Sequence, residues 1–428
     1  MKTLIDHGLL LTVDEGKIFP NGAVVIEDGI ISYVGDKVAE TKGYDRYIDA
    51  RGGVVMPGLI NAHTHSPMTL LRGCGNDLPL DEWLNHHIFP LEDKLDDEAV
   101  YYGTLLACAE MIRSGTTAFA DMYFFSESSV RAILEAGMKA NVSRCVTGTH
   151  NDYKKRLKEA RRLFHDYNGA GDGLIMIEHS AHAVYTCSRE AIRAVAEAAQ
   201  EDGTGIHIHL SETMKENRDC YSKNGKSPTE IMCDLGVFDV RTNAAHCVYL
   251  SENDMDILQK YNVSVSHNPT SNLKLASGVA NIKEMLEKKI NVCLGTDGAA
   301  SNNALDLFAE MKLAGLLHKG VRLDPKLIPA QTALEMATVH GAKALGREKE
   351  TGKLKAGYRA DLIILDADAP TMIPVNEPVS SVVYGSAGGQ VVTSVINGQV
   401  VMENREFKTL DIEKIKYGIM QARKRMGL

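Results

Sequence analysis

Residues 57–65 read Pro-Gly-Leu-Ile-Asn-Ala-His-Thr-His, an apolar run that ends in two histidines one residue apart. The apolar part is typical of a buried β-strand. Side chains two positions apart on a strand point to the same face, so we expect His63 and His65 to project together. Neutral imidazole is a good ligand for Zn, Fe, Ni and Mn. The pair alone does not distinguish metal-binding histidines from structural ones, so the other motifs of the chain are needed to assign its role.

The sequence around this run alternates between strand-like and helix-like segments. The eight strand candidates are residues 54–62, 116–122, 142–149, 174–178, 205–210, 242–247, 263–267 and 290–295. Helical patterns between or after them cover residues 98–113, 128–139, 188–201, 251–260, 282–288, 329–346 and 412–426. Eight strands with helical crossovers favour an α/β fold of the (β/α)8 TIM-barrel type over an open sheet.

Both ends of the chain carry short strand-like runs separated by glycine and aspartate turn signals. These runs are residues 22–29, 30–35 and 46–49 near the start, and 360–366, 379–384 and 391–398 near the end. Because chain termini often lie close together, we expect both ends to form one small β-sandwich.

This organisation predicts four segments. They are the first part of the sandwich (1–56), a metal-dependent barrel (57–350), the second part of the sandwich (351–406) and a C-terminal helix (407–428). The interpretation of the basic helix at 412–426 as docked on the fold, or as covering an oligomer contact, is favoured over membrane binding.

Composition excludes several classes of function. The net charge is −9, with 47 Lys and Arg against 56 Asp and Glu, which argues against a nucleic-acid partner. No apolar run is long enough to span a bilayer. Asp6 and His7 fall inside what would be the apolar core of a signal peptide. The eight cysteines stand singly, without a C-x-x-C pair, so we expect a reducing, cytoplasmic location.

The fifth candidate strand provides a second pair of histidines, His207 and His209. His209 is the last strand residue before the loop and is the better ligand, whereas His207, one layer deeper, is interpreted as a core histidine. Glu212 follows three residues later, close enough to share the cavity and to transfer protons once burial raises its pKa. The alternative for Glu212 is a carboxylate that stabilises a helix N-terminus.

The sixth and eighth candidate strands end in His246 and Asp297. Active sites of barrels lie at the C-terminal ends of the strands. We therefore expect His63, His65, His209 and Asp297 to hold a divalent ion. His246 and Asp297 would also orient or deprotonate a water molecule. A two-metal site would need a further bridging ligand, often a modified lysine. The fourth strand end, residues 176–183, contains no lysine, so we expect a single ion, zinc first, with Fe, Ni and Mn as alternatives.

The chain resembles the amidohydrolase superfamily from end to end. The motifs that carry this resemblance are residues 57–65, 209–212 (His-Leu-Ser-Glu), 245–247 (Ala-His-Cys), 266–278 (Ser-His-Asn-Pro-Thr-Ser-Asn-Leu-Lys-Leu-Ala-Ser-Gly), 295–298 (Gly-Thr-Asp-Gly) and 352–362. Within the superfamily it is most similar to deaminases of S-adenosylhomocysteine, 5′-methylthioadenosine and 5′-deoxyadenosine. The resemblance places the metal ligands on the same four residues, His63, His65, His209 and Asp297.

The resemblance also implies substrate contacts. It places them on Glu92, His182, Glu212 and Asp297, and it matches Arg144 to an arginine that meets the carboxylate of a homocysteine tail. A second arginine of that kind has no clear match; Arg156 is the candidate.

The expected activity is hydrolytic deamination of an adenosine derivative to the inosine analogue and ammonia. Trp83 could form one apolar wall for the purine, or it could pack in a loop on the barrel rim. The expected partner is a small purine nucleoside, with no nucleic acid and no membrane, and we expect a homo-oligomer, either a dimer or a tetramer. The alternative enzyme is a deaminase or chlorohydrolase of another heterocycle, such as guanine, cytosine or a triazine. A barrel without catalysis is disfavoured because every expected ligand is present.

Overall fold

Two sheets organise the computed structural model, which describes residues 1–38, 42–148 and 152–428. The N-terminal strands are β1 (Lys2–Leu11), β2 (Ile18–Glu27), β3 (Ile30–Asp36), β4 (Arg46–Asp49) and β5 (Val54–Pro57). The barrel strands are β6 (Leu59–Thr64), β7 (Thr116–Tyr123), β8 (Lys139–Val146), β9 (Ile175–Ala181), β10 (Ile206–Leu210), β11 (Thr242–His246), β12 (Ser264–His267) and β13 (Asn291–Leu294). The C-terminal strands are β14 (Leu362–Leu365), β15 (Val391–Ile396), β16 (Gln399–Glu403) and β17 (Glu406–Phe407).

Helices follow most barrel strands. The helices up to β10 are α1 (Leu80–Trp83), α2 (Phe89–Glu92), α3 (Asp97–Arg113), α4 (Ser126–Ala136), α5 (Tyr153–Tyr167) and α6 (Arg189–Asp202). Those up to β13 are α7 (Met214–Asn224), α8 (Pro228–Asp234), α9 (Glu252–Lys260), α10 (Pro269–Lys274) and α11 (Ile282–Glu287). The remainder are α12 (Ala299–Asn302), α13 (Leu307–Arg322), α14 (Ala330–Met336), α15 (Val339–Ala344), α16 (Pro378–Ser380) and α17 (Ile412–Met426).

The eight strands β6 to β13 pair in sequence order, each parallel to its neighbour. The sheet closes almost completely, because the backbone N–H of Asp297, just past β13, donates to the carbonyl of His63 on β6 at 2.9 Å. This closure confirms the predicted parallel barrel. It also carries the ends of β6 and β13 to one place on the rim. Thr149, the last residue of the candidate strand 142–149, lies outside the described residues.

The prediction of one strand over residues 54–62 is wrong, because the chain forms two strands there. β5 pairs with β1 and β14 in the small sheet, and β6 begins the barrel. Between them, Gly58 lies so close to Thr117 that an added Cβ would come within 2.1 Å of that side chain. The close approach at Gly58 lets the chain step from one sheet to the other.

The small sheet is built from both chain ends, as predicted. Its order is β17-β16-β15-β14-β5-β1-β2-β3, with β4 beside β1, and one apolar cluster joins strands from both termini. Asn397 and Gly398, both at positive φ, form the hairpin turn between β15 and β16. The division of the chain at residues 56, 350 and 406 stays a prediction.

Two local predictions differ from the structure. Residues 379–384, predicted as a strand, lie in a helical turn, because Pro378 occupies the first helical position and the Glu377 side chain accepts the N–H of Val379 at 3.3 Å. The helix predicted over 329–346 is two helices, α14 and α15, interrupted at Thr338, whose φ and ψ are −132° and −92°.

The C-terminal helix docks on the barrel, as predicted. Ile415, Ile419, Ala422 and Met426 of α17 are buried in one cluster with apolar residues of α3. The basic residues of α17 therefore lie around a packed apolar face, and Arg423 donates to the carbonyl of Leu70.

A buried ion pair ties the barrel to the small sheet. Lys139 at the start of β8 pairs with Asp361, which directly precedes β14, and both side chains are inaccessible to solvent. The second oxygen of Asp361 accepts the backbone N–H of Asn397 at 2.8 Å. Because removing one partner of a buried pair leaves an uncompensated charge, this contact fixes the two sheets relative to each other.

Candidate metal centre

The predicted ligand residues converge at the C-terminal mouth of the barrel. Asp297 Oδ1 lies 3.5 Å from Nε2 of His63 and 3.4 Å from Nε2 of His65. Nε2 of His209 lies 3.2 Å from Nε2 of His65. Two sets of three possible ligand atoms, His63–His65–Asp297 and His63–His209–His246, share His63, with all atoms of each set within 4.8 Å of one another. Strands β6, β10, β11 and β13 thus deliver five side chains to one point.

The hydrogen bonds of the imidazoles turn their other nitrogens toward this point. Nδ1 of His65 contacts the carbonyl of Met122 at 2.6 Å, and Nδ1 of His209 contacts the carbonyl of His182 at 3.0 Å. A carbonyl only accepts, so each Nδ1 donates a proton and each Nε2 keeps a lone pair. Carbonyl contacts of this kind orient metal-binding histidines in proteins.

His63 lies beneath the cavity floor and is fully buried. Its Nδ1 lies 2.9 Å from Nε2 of His207, whereas its Nε2 is buried and has no hydrogen-bond partner among the described residues. A buried polar atom without a partner costs free energy. A cation placed between His63, His65 and Asp297 would remove this cost, so the residues present fit a metal ion.

The protonation states of the cluster also suit a cation. Burial holds the pKa of His63 and of His209 well below the usual range, so both rings are neutral. Burial alone would raise the pKa of Asp297, but its close approach to Nε2 of His63, at 3.5 Å, and the nearby imidazoles hold that pKa well below its usual range. Neutral imidazoles and an ionised carboxylate are the forms that bind metals.

The strand ends that carry these residues adopt an unusual backbone. His246 has a φ of 76° and Asp297 a φ of 62°, both in the left-handed region that non-glycine residues rarely adopt. Each such residue costs on the order of 1–3 kcal/mol and persists where the surroundings hold it. Asp297 is held by its Oδ2, which accepts from Ser271 Oγ at 2.6 Å, and by its Oδ1, which accepts the N–H of Gly298 at 2.6 Å.

Glu212 and His246 face each other beside the cluster. Glu212 Oε2 lies 3.8 Å from Nε2 of His246, and Glu212 Oε1 accepts from Ser277 Oγ at 3.4 Å. Burial raises the pKa of Glu212 above its usual range. Burial lowers the pKa of His246, but the charges of Glu212 and Asp297 outweigh it and raise that pKa. A raised pKa favours the protonated form of a carboxyl group, which is the form that can donate a proton to a bound molecule.

A cavity of about 690 Å³ opens directly above the cluster. It is lined by all the remaining predicted site residues, namely Glu92, Arg144, His182, Glu212, His246 and Trp83, together with His65, His209 and Asp297. Its size and its mixture of apolar walls with a few polar groups suit a small organic ligand. The structure therefore brings together every residue that the sequence proposed for the site.

Three of these lining residues are held by specific contacts. The Tyr123 hydroxyl donates to Glu92 Oε1 at 2.6 Å, and burial raises the pKa of Glu92 to about 7. Nδ1 of His182 lies 2.9 Å from Thr186 Oγ1, and burial lowers the pKa of His182 to about 3. Trp83 is almost fully buried, and its indole N–H donates to the carbonyl of Cys74 at 3.3 Å.

The two arginines line the same cavity. Arg144 donates from Nε and Nη2 to Glu159 Oε2 at 3.1 and 2.9 Å, and it stacks over Phe124. Arg156 also lines the cavity and donates from Nη1 to the carbonyl of Thr147 at 2.6 Å. The structure therefore places the candidate second arginine beside the first.

Sequence reasoning assigned no role to several side chains that support the site. Ser271, Asn272 and Ser277 hold Asp297, His246 and Glu212 respectively, the middle contact being 2.9 Å from Asn272 Oδ1 to His246 Nδ1. All three come from the polar run at 266–278 that follows β12. A polar run directly after a buried barrel strand is the signal that could have indicated them.

Comparison with known proteins agrees with this geometry. The amidohydrolase family profile matches residues 54–401. The chain belongs to the amidohydrolase family. A 5-methylthioadenosine/S-adenosylhomocysteine deaminase from Acetivibrio thermocellus is 49% identical, over 100% of each chain. A 5′-deoxyadenosine deaminase from Methanosarcina acetivorans is 47% identical, over 96% of this chain and 95% of the relative.

A solved structure has the same fold. The crystal structure of an adenosine deaminase from Xanthomonas campestris with bound zinc superimposes with a TM-score of 0.95 and 32% identity, covering 99% of this chain and 98% of that one. The family and the histidine–aspartate cluster together support a bound metal ion in this protein. Among the described residues, no helix combines the length and apolar character needed to cross a bilayer.

Proposed function

We propose that this amidohydrolase deaminates 5′-substituted adenosines with the help of a bound divalent ion. His63, His65, His209 and Asp297 hold this ion, for which zinc is the first candidate. The observation that carries the proposal is the convergence of these four side chains with Glu212 and His246 on the floor of one nucleoside-sized cavity. The printed names of the relatives support the substrate class. A bound divalent ion acidifies water to a pKa of about 7, which supplies hydroxide at neutral pH.

The side chains around that water have distinct roles. Asp297 is ionised and accepts the proton that the attacking water gives up, while His246 orients the water toward C6 of the purine. Glu212 donates its proton to the ring nitrogen that takes up the electron pair. The C6–N bond then breaks, and ammonia leaves with the proton held by Asp297. The new hydroxyl group at C6 returns its proton to Glu212, so the purine keeps a carbonyl oxygen at C6 and the Glu212 carboxyl group is restored. Glu92, His182 and Trp83 hold the nucleoside in the cavity.

Ammonia release across a panel of substrates tests the proposal. We expect turnover of 5′-deoxyadenosine, 5′-methylthioadenosine, S-adenosylhomocysteine and adenosine to exceed that of guanine and cytosine by at least about 100-fold in kcat/KM, since a site built for one set of hydrogen bonds leaves buried groups unpaired with another base. Release of ammonia from guanine or cytosine, or of chloride from a chlorotriazine, without turnover of any adenosine would favour the alternative enzyme. Metal analysis of the same preparation identifies the ion.

The two arginines predict how the length of the 5′ substituent affects turnover. We expect the carboxylate of a homocysteine tail to reach Arg144 and Arg156, which both line the cavity. A hydrogen bond to a charged group contributes about 1.5–3 kcal/mol. Because Arg144 already pairs with Glu159, we expect Arg144→Met to reduce kcat/KM for S-adenosylhomocysteine by about 10-fold, the lower end of that range.

5′-Deoxyadenosine, which has no carboxylate, is the internal control for this variant, and its kcat/KM should stay within about twofold. Arg161→Met is the matched control, because Arg161 lies on α5, the helix that carries the Arg144 partner Glu159, but pairs with Glu201 and Asp202 and does not line the cavity. If Arg144→Met lowered kcat/KM equally for both substrates, Arg144 would be shown to support the fold and not to bind the homocysteine carboxylate.

Other expectations stay predictions. All eight cysteines are free in the structure, which supports a reducing, cytoplasmic location. The homo-oligomer, dimer or tetramer, awaits a measurement of mass in solution.

A further inference from the structure

Helix α7 begins with a standard capping sequence that is used in an unusual way. Thr213 is the N-cap, and its Oγ1 accepts the N–H of Glu216 at 3.1 Å. In a capping box, the glutamate three residues later returns the contact by accepting the N–H of the N-cap residue. Helix α8 does this with Ser227 and Glu230, where the N–H of Ser227 donates to Glu230 Oε2 at 2.8 Å.

In α7 the carboxylate reaches one residue further back. Oε2 of Glu216 accepts the backbone N–H of Glu212 at 2.7 Å. Glu212 is the proton donor in the proposed reaction, so the contact fixes the backbone from which the reacting carboxyl group projects. The residue before it, Ser211, has a φ of 50°, so this turn is strained and needs contacts to hold it.

Glu216 occupies a position that a simple helix cap would not need. The side chain is buried, and its Oε1 has no hydrogen-bond partner among the described residues. Burial raises the pKa of Glu216 to about 7. A buried acceptor without a partner is destabilising, whereas a solvent-exposed capping carboxylate carries no such cost. Stabilisation of α7 therefore does not explain why the Glu216 carboxylate is buried at this position.

The surroundings show why the turn is sensitive. Glu216 lines a second cavity of about 720 Å³, which shares the walls Leu80, Leu84, Tyr185 and Leu275 with the cavity above the metal centre. The loop between β10 and α7 lines both cavities, with Glu212 on the first and Thr213 on the second. The peptide group between Ser211 and Glu212 is held at both of its polar atoms. The Ser211 carbonyl accepts the N–H groups of Val248 and Tyr249, each at 3.0 Å, and the Glu212 N–H donates to the Glu216 carboxylate at 2.7 Å.

We propose that Glu216 is a positioning residue, which holds the Glu212 backbone so that the Glu212 carboxyl group meets the ring nitrogen of the substrate. This inference rests on the role proposed for Glu212. Because a displacement of about 1 Å at a reacting group can cost on the order of 100-fold in rate, loss of this contact acts on turnover. Glu216 itself touches neither the candidate metal ligands nor the first cavity.

The test compares Glu216→Ala, Glu216→Gln and Glu230→Ala. In Glu216→Ala we expect kcat for 5′-deoxyadenosine to fall between about 10- and 100-fold, with KM within about threefold and with unchanged metal content. In Glu216→Gln the amide oxygen still accepts the Glu212 N–H, so kcat should stay within about fivefold of the parent. Glu230→Ala removes a true capping box and should lower Tm without changing kcat.

A second readout does not depend on activity. Hydrogen–deuterium exchange at the Glu212 amide should become at least about 10-fold faster in Glu216→Ala and remain slow in Glu216→Gln and Glu230→Ala. Should the alanine variant fail to fold, Glu216→Asp is one methylene too short to reach and carries the same expectations.

Exchange at Glu212 that is unaffected by Glu216→Ala would overturn the inference. So would a loss of kcat no larger than in Glu230→Ala, or a glutamine variant as slow as the alanine variant. A parent enzyme that deaminates no adenosine would instead refute the proposed function, and the exchange data alone would then decide whether Glu216 holds the turn.

Discussion

Glu212→Gln is expected to lower kcat by roughly 10²–10⁴-fold, the usual contribution of general acid–base catalysis, with substrate binding and metal content kept. Glutamine has the size of glutamate and can still accept from Ser277, but it has no proton to transfer to the purine ring. Burial raises the pKa of Glu212, which favours the protonated form that a proton donor needs. The measurements are kcat with 5′-deoxyadenosine, the Kd of the same nucleoside by calorimetry, and metal per chain.

Glu230→Gln is the matched control for this substitution, because Glu230 caps α8 and lines neither cavity. It should retain the full kcat. A Glu212→Gln enzyme as active as its parent would remove Glu212 from proton transfer. A variant that had lost its metal would show instead that Glu212 supports the ion.

His209→Ala is expected to lose the metal and, with it, more than about 100-fold in activity, since even residues that only support a metal ligand contribute 10–100-fold to affinity. The structure places Nε2 of His209 beside His65 with its lone pair directed into the cluster. Without this imidazole, His63, His65 and Asp297 remain as a three-ligand set. Metal per chain after dialysis is the measurement, with the chelated and reloaded parent for comparison.

His340→Ala is a suitable control, because Nδ1 of His340 also donates to a backbone carbonyl, that of Val292 at 2.9 Å, but the ring lies outside the cluster. It should bind as much metal as the parent. If purified His209→Ala kept one ion per chain, the ligand set would have to be assigned to other residues.

The barrel could be predicted because its strands are buried on both faces. Such strands appear in the sequence as short, continuous apolar runs, with amphipathic helices between them. The sequence misleads where two structural signals overlap. Residues 54–62 read as one apolar run, and only the contact between Gly58 and Thr117 shows that the run changes sheets. At 379–384 the β-branched residues outweighed the helix start at Pro378.

Those residues of the candidate site whose place depends on their position along a strand could be predicted from the sequence. His63, His65, His209, His246 and Asp297 all follow from lying at strand ends. The supporting contacts did not follow, because they join residues far apart in sequence, as Ser277 joins Glu212 across 65 positions. Glu216 was missed for another reason: its capping sequence is ordinary, and only the distance to the Glu212 N–H reveals its different partner.

The pairing of Lys139 with Asp361 limits how this enzyme could be shortened or recombined. Cutting the chain after the last barrel helix would remove Asp361 and strand an ammonium group in the interior at the foot of β8, a cost of several kcal/mol. The barrel therefore depends on the small sheet, and a minimal catalytic core cannot be obtained by removing the chain ends. Any chimera that exchanges one end must bring the opposite charge with it.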